Sequence, residues 1–478
     1  MKSKTKFTAG AIARACRGRL VAGSESKRAA AVSIDSRTIA PGQAFVAIRG
    51  ARHDGHQYVP DAARAGASVL VVERAEGAGC LGTGRLGAWA LRRDVAVVQV
   101  EDTTRALVDL AAWHRMRLGG TVLAVTGSCG KSTVKAMLAA ILGRTGRCAA
   151  AQKSFNNRIG MSLTLLNADV EDEFVVLEMG TNHPGEIDEL ARCARPHVGV
   201  ITCIGDAHLQ GLGDRHGVRE AKAELIPHLA HDGLLLLNAD DRMCMSLAKR
   251  FEGEVRTFGF SGAADVRPAD VRREAGCMAF EFGGREFRLP FAGRHNVVNA
   301  AAALGAATWA GADLDGARDS LAEVSLPSLR QQVRRIENVT FVEDCYNSNP
   351  TAMRAAVAAF LEEPVQGRRV VVCGDMLELG PRSPEMHVEV GRMLAFGGVD
   401  LLVAVGPMGV FLLEGWNSLA RDDQSATHYL TAEDAWRPLW ENLKAGDGVL
   451  LKGSRLMGLE RITEEIDEHI ESEERAAA

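Results

Sequence analysis

The segment at residues 124–133, AVTGSCGKST, constrains this chain more than any other. An apolar β-run, Thr121-Val-Leu-Ala-Val-Thr126, enters a glycine turn, and a helix opens at Ser132. Gly127 and Gly130 let the backbone curl so that its N–H groups face inward toward phosphate oxygens. Lys131 brings a positive charge to the β- and γ-phosphates. The Ser132 hydroxyl can ligate magnesium, and the positive end of the following helix faces the anion. The spacing departs from G-x-x-x-x-G-K-[ST], because Val125 stands where the first glycine would be. It is the shorter T-G-x-x-G-K-[ST] form, and Thr126, Gly127, Ser128, Cys129, Gly130, Lys131, Ser132 and Thr133 form the expected nucleotide loop. A plain strand–helix turn with a surface lysine is the alternative.

The chain has 478 residues, room for about three domains. Its net charge of −5 gives no argument for a nucleic-acid partner, and its 5% aromatic content leaves few stacking platforms. The basic N-terminus is broken by Arg14, Arg17 and Arg19 before an apolar signal core can form. Thr8 ahead of Ala11-Ile12-Ala13 reads instead as a helix cap. No apolar run approaches the length of a membrane span, so no membrane insertion is expected. The ten cysteines are scattered without C-x-x-C pairs. They read as reduced, mostly buried residues of a cytoplasmic protein.

Periodicity predicts an α/β chain. Val32–Ser36, Ala44–Ile48 and Ser68–Val72 are strand-like, Tyr58–Ala65 is helix-like, and the glycine-rich Glu76–Leu86 reads as a loop. From Val122 onward β and α stretches alternate. Phe174–Glu178, Val198–Thr202 and Leu234–Asn238 are apolar runs suited to parallel strands covered on both faces. Residues 255–290 read as an antiparallel appendage, with Met278–Phe282 turning at Gly283-Gly284. A third unit starts near Pro327, with strands at Thr340–Glu343, Arg369–Cys373, Leu401–Val405 and Gly448–Lys452. An acidic amphipathic helix closes the chain, and Glu473–Ala478 are expected to fray. The expected domains are 1–100, 101–325 and 326–478.

Other residues carry chemistry beside the loop. Glu178 ends a strand after the loop helix, where ligands of doubly wound sheets sit, and can coordinate a phosphate-bridging metal. His208, in Ile204-Gly-Asp-Ala-His208, follows the next strand. Lys222, on the succeeding helix, is by spacing alone a solvated lysine. Asn156 and Asn157 are turn amides. Asn296 and Asn299 at a helix start suit caps or base and ribose contacts, and Asp344-Cys-Tyr-Asn347 follows a strand and precedes a helix.

The ordered segments SFNNRIG, LEMGTNHPGEI, IGDAHLQGLGD with EAKAE, GRHNVVNAAAA, EDCYNSNP and LLKGSR resemble the Mur ligases. The similarity also takes in SIDSRTIAPGQAFVAIRGARHDGH and CGDMLELGPRSPEMH, and so spans nearly the whole chain. NHPGEI, YNSNP, GDMLELG and KGSR resemble the branch that adds D-alanyl-D-alanine to UDP-N-acetylmuramoyl-tripeptide.

The resemblance implies three α/β domains: an N-terminal UDP-sugar-binding domain, a central phosphate-loop ATPase domain with a parallel sheet, and a C-terminal Rossmann-like domain. It implies ATP and magnesium as cofactors, Lys131, His208 and Lys222 as catalytic residues, and Ser132, Glu178 and His208 as magnesium ligands. Lys222 matches a lysine carbamylated in sister ligases, and as a carbamate would join them. Asn299, Arg330, Asp344 and Asn347 match nucleotide contacts. Ser36, Arg37, Asp54, His56, Asn156, Asn157, Lys452, Ser454 and Arg455 match the substrate-binding regions, the Lys452-Gly-Ser-Arg455 segment at the peptide end. The implied protein is monomeric. A sibling ligase that adds a single amino acid shares the ATP machinery, and a nucleotide-hydrolysing switch would need neither acceptor nor dipeptide.

Overall fold

The computed structural model describes residues 6–50, 53–74, 90, 94–151, 154–274 and 276–477. The expected loop at Glu76–Leu86 lies outside the described residues. The chain forms two compact units. One comprises residues up to 124 with 146–179 and 188–197, the other residues 125–145, 180–187 and 198 onward. The chain passes from the first to the second inside the strand Thr121–Thr126.

The first unit opens with the helix Ala9–Ala15, whose cap is Thr8, its Oγ1 accepting from Ala11 N at 3.2 Å. A five-stranded sheet follows, in the order Arg19–Ala22, Ala96–Val100, Val69–Glu73, Ala44–Val46, Val32–Ser33. Its pairings are parallel except that of the edge strand Arg19–Ala22. Phe45, Leu70 and Val97 are fully buried on it. Three expected strands are present, in shorter or shifted form, beside two unpredicted ones, Arg19–Ala22 and Ala96–Val100. The unit also holds Cys148–Ala150 and Phe174–Glu178, paired in parallel. The N–H of Thr121 donates to Glu173 O at 2.8 Å, which sets the start of the loop strand beside them.

In the second unit Val198–Ile201, Leu234–Asn238 and Glu254–Phe258 are parallel neighbours. The last was expected in the antiparallel appendage. An edge strand buries only part of one face, so its alternating residues do not distinguish parallel from antiparallel pairing. The appendage itself is present: Ala269–Glu274, Cys277–Phe282 and Arg285–Leu289 form an antiparallel meander. Thr202 N donates to Thr126 O at 2.9 Å and places the end of the loop strand beside Val198–Ile201.

Beyond the helices Arg294–Trp309 and Leu314–Glu323 lies a six-stranded sheet. Its order is Gln332–Ile336, Val339–Glu343, Gly448–Lys452, Arg369–Gly374, Leu401–Val405, Ser425–Tyr429. The first pair is an antiparallel hairpin and the other pairings are parallel. Phe341, Val372, Val449, Ile462 and Ile466 pack in its core, each burial contributing about 1.5–3 kcal/mol. The closing helix, Glu460–Ala477, stays helical to Ala477, within the stretch expected to fray. The exposed i,i+4 pair of Arg475 with Glu471 supports its last turn.

Candidate active site

The loop between Thr126 and the helix Lys131–Thr145 is held from behind. Ser128 N donates to Cys203 O at 2.9 Å, Gly205 N donates to Ser128 Oγ at 2.9 Å, and Thr202 Oγ1 donates to Cys129 O. Asn349 Nδ2 reaches Ser128 O at 3.5 Å. Gly127 and Gly130 have φ of 143° and 83°, which L-residues with a Cβ rarely adopt. A Cβ on Gly130 would come 2.5 Å from Asn299 Oδ1, so the loop runs directly against the start of the Arg294–Trp309 helix. Lys131 Nζ folds back and donates to Gly127 O at 2.6 Å. The turn thus holds backbone donors, a helix N-terminus and an ammonium together, the arrangement that accepts phosphate.

Residues far along the chain meet this loop. Arg330 Nη2 donates to Ser132 Oγ at 2.9 Å, and its guanidinium lies 4.6 Å from the centre of the Tyr346 ring. A cation stacked on an aromatic face keeps its orientation. Asn299 Nδ2 donates to Asn296 Oδ1 at 3.3 Å, and Asn296 Nδ2 donates to Gln331 Oε1 at 2.6 Å. Asp344 and Asn347 are joined through Lys452, which is 3% exposed. Its ammonium donates to Asp344 O at 3.0 Å and Asn347 O at 2.8 Å and pairs with Asp344 Oδ2 at 2.9 Å. Three partners engage the three N–H bonds of an ammonium. Lys452 therefore shapes the Asp344–Asn347 turn from inside the protein. Ser454, also buried, accepts from Leu377 N at 2.9 Å, while exposed Arg455 pairs with Glu460.

Lys222 departs from its solvated appearance in the sequence. It lies on the helix Arg215–Ala223, is 0% exposed, and its Nζ has no hydrogen-bond partner among the described residues. Burial, and then repulsion from Lys131, pull this amine down to about 7. Near neutral pH a large fraction is uncharged and nucleophilic, the form that adds carbon dioxide to give a carbamate. His208 sits at φ 56° with Nδ1 2.6 Å from Glu378 Oε2.

In the first unit Glu178 ends its strand, 1% exposed, and Oε1 accepts from Asn156 Nδ2 at 3.0 Å. Asn157 caps the helix Arg158–Asn167 by accepting from Gly160 N at 2.9 Å. Elsewhere in that unit His56 is buried. Its Nε2 accepts from Glu73 N at 3.0 Å, so Nδ1 carries the proton toward Asp54 Oδ1, 2.6 Å away. Asp35 takes Arg37 through two bonds of 2.9 and 2.7 Å, which hold its carboxyl down to about 2, and Ser36 lies half-buried between them. Among the described residues no three His, Cys, Asp or Glu side chains cluster into a cation cage.

Some functional neighbours were invisible in the sequence. Thr202 ties two loop carbonyls, and Glu378 holds His208; Glu378 lies in the GDMLELG segment but nothing in its spacing assigns it a partner 170 residues earlier.

Family models match three stretches: a Mur ligase family catalytic domain at residues 28–115, a Mur ligase middle domain at 125–307, and a Mur ligase glutamate ligase domain at 329–455. The chain is 34% identical over 440 residues to the UDP-N-acetylmuramoyl-tripeptide–D-alanyl-D-alanine ligase of Bacillus subtilis (strain 168), covering 91% of this chain and 93% of that protein. Its fold is similar to that of MurF from Acinetobacter baumannii, with TM-score 0.84, 30% identity, and 97% and 99% of the two chains covered. MurF ligase from Thermotoga maritima in complex with ADP aligns with TM-score 0.77 and 28% identity over 93% of this chain and 98% of that one.

Proposed function

The chain belongs to the Mur ligase family, and on that premise we propose that it joins D-alanyl-D-alanine to UDP-N-acetylmuramoyl-tripeptide. The fold is the three-domain α/β architecture of those ligases, and its domains are assigned here to 1–100, 101–325 and 326–478. The products are the UDP-muramoyl-pentapeptide, ADP and phosphate. The enzyme serves peptidoglycan precursor synthesis, acting as a cytoplasmic monomer. No described helix is long and apolar enough to cross a membrane.

A carboxylate does not yield its oxygen to an amine. Transfer of the γ-phosphoryl group from ATP to the tripeptide carboxylate gives an acyl phosphate, whose phosphate is a good leaving group. The dipeptide amine then attacks the acyl carbon, the tetrahedral intermediate collapses, and phosphate departs. Lys131 and the backbone N–H groups at the start of the helix Lys131–Thr145 stabilise charge on the transferring group. Asn299, Arg330, Asp344 and Asn347 hold the nucleotide, with Arg330 tethered to Ser132. Ser36, Arg37, Asp54, His56, Asn156, Asn157, Lys452, Ser454 and Arg455 are assigned to the UDP-sugar and peptide ends, His56 and Lys452 by supporting the backbone there.

Ser132, Glu178 and a carbamate on Lys222 are the oxygen ligands assigned to magnesium. His208, already held by Glu378, is the weakest member of that set because magnesium favours oxygen. When bound, the ion supplies positive charge to the phosphates and the reacting carboxylate. Water destroys an acyl phosphate, so we assign to residues 326–478 a rotation that closes the site. Small-angle scattering with an ATP analogue and UDP-tripeptide should show a smaller radius of gyration; an unchanged one opposes closure.

The observation that carries the reading is Arg330 meeting Ser132 at 2.9 Å, because it brings the third family segment onto the phosphate loop of the second. Incubation with ATP, UDP-muramoyl-tripeptide and D-alanyl-D-alanine, followed by mass spectrometry, tests it. The pentapeptide mass should appear only when all three are present. Phosphate release without acceptor or dipeptide would identify a switch instead.

A further inference from the structure

Cys129 lies inside the phosphate loop, and Cys203 follows the strand Val198–Ile201 by two residues. Their Sγ atoms are 3.0 Å apart, and Cys129 N donates to Cys203 Sγ at 3.4 Å. Ser128 N donates to Cys203 O at 2.9 Å, so the backbones are already fastened side by side. Both cysteines are half-buried, whereas Cys16, Cys193, Cys244, Cys345 and Cys373 are buried. Burial pushes the Cys16, Cys193, Cys345 and Cys373 thiols up to about 12. The hydrogen bond from the Cys129 thiol, assisted by the Cys129 N–H, instead holds Cys203 below the ordinary thiol range. A thiolate is the form that oxidants attack.

We propose that Cys129 and Cys203 are a modification site, a dithiol that a hydroperoxide converts reversibly to a disulfide and thereby closes the phosphate loop to nucleotide. The Cys203 thiolate attacks the hydroperoxide, the O–O bond breaks, and the departing oxygen takes a proton to leave as water or alcohol. The resulting sulfenic acid is attacked by the Cys129 sulfur. The S–O bond breaks, and water leaves with the thiol proton. Two thiols are oxidised to one disulfide, and one hydroperoxide is reduced. A dithiol reductant reverses the change by exchange. A disulfide needs sulfurs about 2.05 Å apart, so the loop is drawn toward residues 202–205. The Cys129 N–H then stays turned to sulfur and away from phosphate. The loss of nucleotide binding rests on the nucleotide reading above; the disulfide itself does not.

The test uses the full-length protein and hydrogen peroxide. The intact mass should fall by two hydrogens, with peptide mapping linking Cys129 to Cys203. Calorimetry should show ADP affinity falling by about tenfold or more, restored by dithiothreitol, and ADP added first should slow the linkage. The Cys203→Ser variant should show the same ADP affinity before and after the same peroxide treatment, whatever its affinity is. Absence of the Cys129–Cys203 linkage overturns the disulfide. Linkage with unchanged ADP affinity, or equal peroxide sensitivity of C203S, overturns the closure. Failure of the reduced wild type to bind ADP would instead remove the nucleotide reading and the closure built on it.

Discussion

His208 Nδ1 lies 2.6 Å from Glu378 Oε2, and both residues hold left-handed backbone, with φ of 56° and 63°. A non-glycine residue there costs of order 1 kcal/mol or more and persists where its surroundings hold it. Here Gln210 N also donates to Glu378 O at 2.9 Å, so side chain and backbone fasten the two turns together. The His208 hydrogen bond holds the Glu378 carboxyl below its ordinary value against the opposing effect of burial. A depressed carboxyl stabilises the fold fully above its unfolded value, about 4.3. That contribution is lost as pH falls through the folded value. Glu378→Gln should therefore melt below the wild type near neutral pH, with the difference vanishing in acid. Half-exposed, the pair is worth about 0.2–1 kcal/mol, and kcat/KM should fall by about two- to fivefold. Thermal scans across acid and neutral pH check the first effect and steady-state kinetics the second.

Lys222 offers a test in which stability and activity move in opposite directions. A fully buried amine at about 7 takes up its proton less readily than in the unfolded chain, where the value is about 10.4. Between those values the unfolded state binds more protons, so stability should rise with pH across that window. Lys222→Met keeps the volume and removes the amine. In metal-free, carbonate-free buffer it should melt higher than the wild type at neutral pH by about 2–4 °C or more. Ligation should be lost. Wild-type protein in ¹³C-bicarbonate should show a carbamate carbon resonance that K222M lacks; identical spectra would refute the carbamate.

Local order explains what the sequence made legible. The phosphate loop needs only a strand, two glycines and a Lys-Ser pair at adjacent positions, and Thr8 caps its helix through Ala11, three residues on. The runs Phe174–Glu178 and Leu234–Asn238 are apolar on both faces and fall as read. What the sequence hid depends on distant partners. The burial of Lys222 is decided by what its helix packs against, which its flanking glutamates do not reveal. Lys452 finds its acceptors at Asp344 and Asn347, more than a hundred residues away. Glu254–Phe258 alternates like a hairpin strand, yet pairs in parallel with Leu234–Asn238 because the sheet edge receives it.

A side chain at Gly130 should weaken nucleotide binding. The Gly130 φ of 83° disfavours any L-residue, and an added Cβ would come 2.5 Å from Asn299 Oδ1. Gly130→Ala strains the loop backbone and must at least turn the Asn299 amide away from its place beside the loop. ADP affinity measured by calorimetry should fall by about tenfold or more, the equivalent of about 1.4 kcal/mol. The melting temperature should fall as well, because the strained φ costs of order 1 kcal/mol.

Lys131→Ala tests the charge of the phosphate loop itself. The Lys131 ammonium rests on Gly127 O at 2.6 Å, within the turn that leads into the helix Lys131–Thr145. In Lys131→Ala the loop keeps its glycines and the helix N-terminus, so some nucleotide binding should survive. What disappears is the charge that stabilises the γ-phosphoryl group in transfer. Removing one such preorganised donor lowers kcat by about 10²–10³. Lys131→Arg restores the charge but not the point geometry of an ammonium, and should recover only part of the rate. Pentapeptide formation followed by mass spectrometry, with circular dichroism confirming an intact fold, measures both. Wild-type output from K131A would mean that the γ-phosphate is not handled at this loop, and the ligase assignment of the site would fall with it.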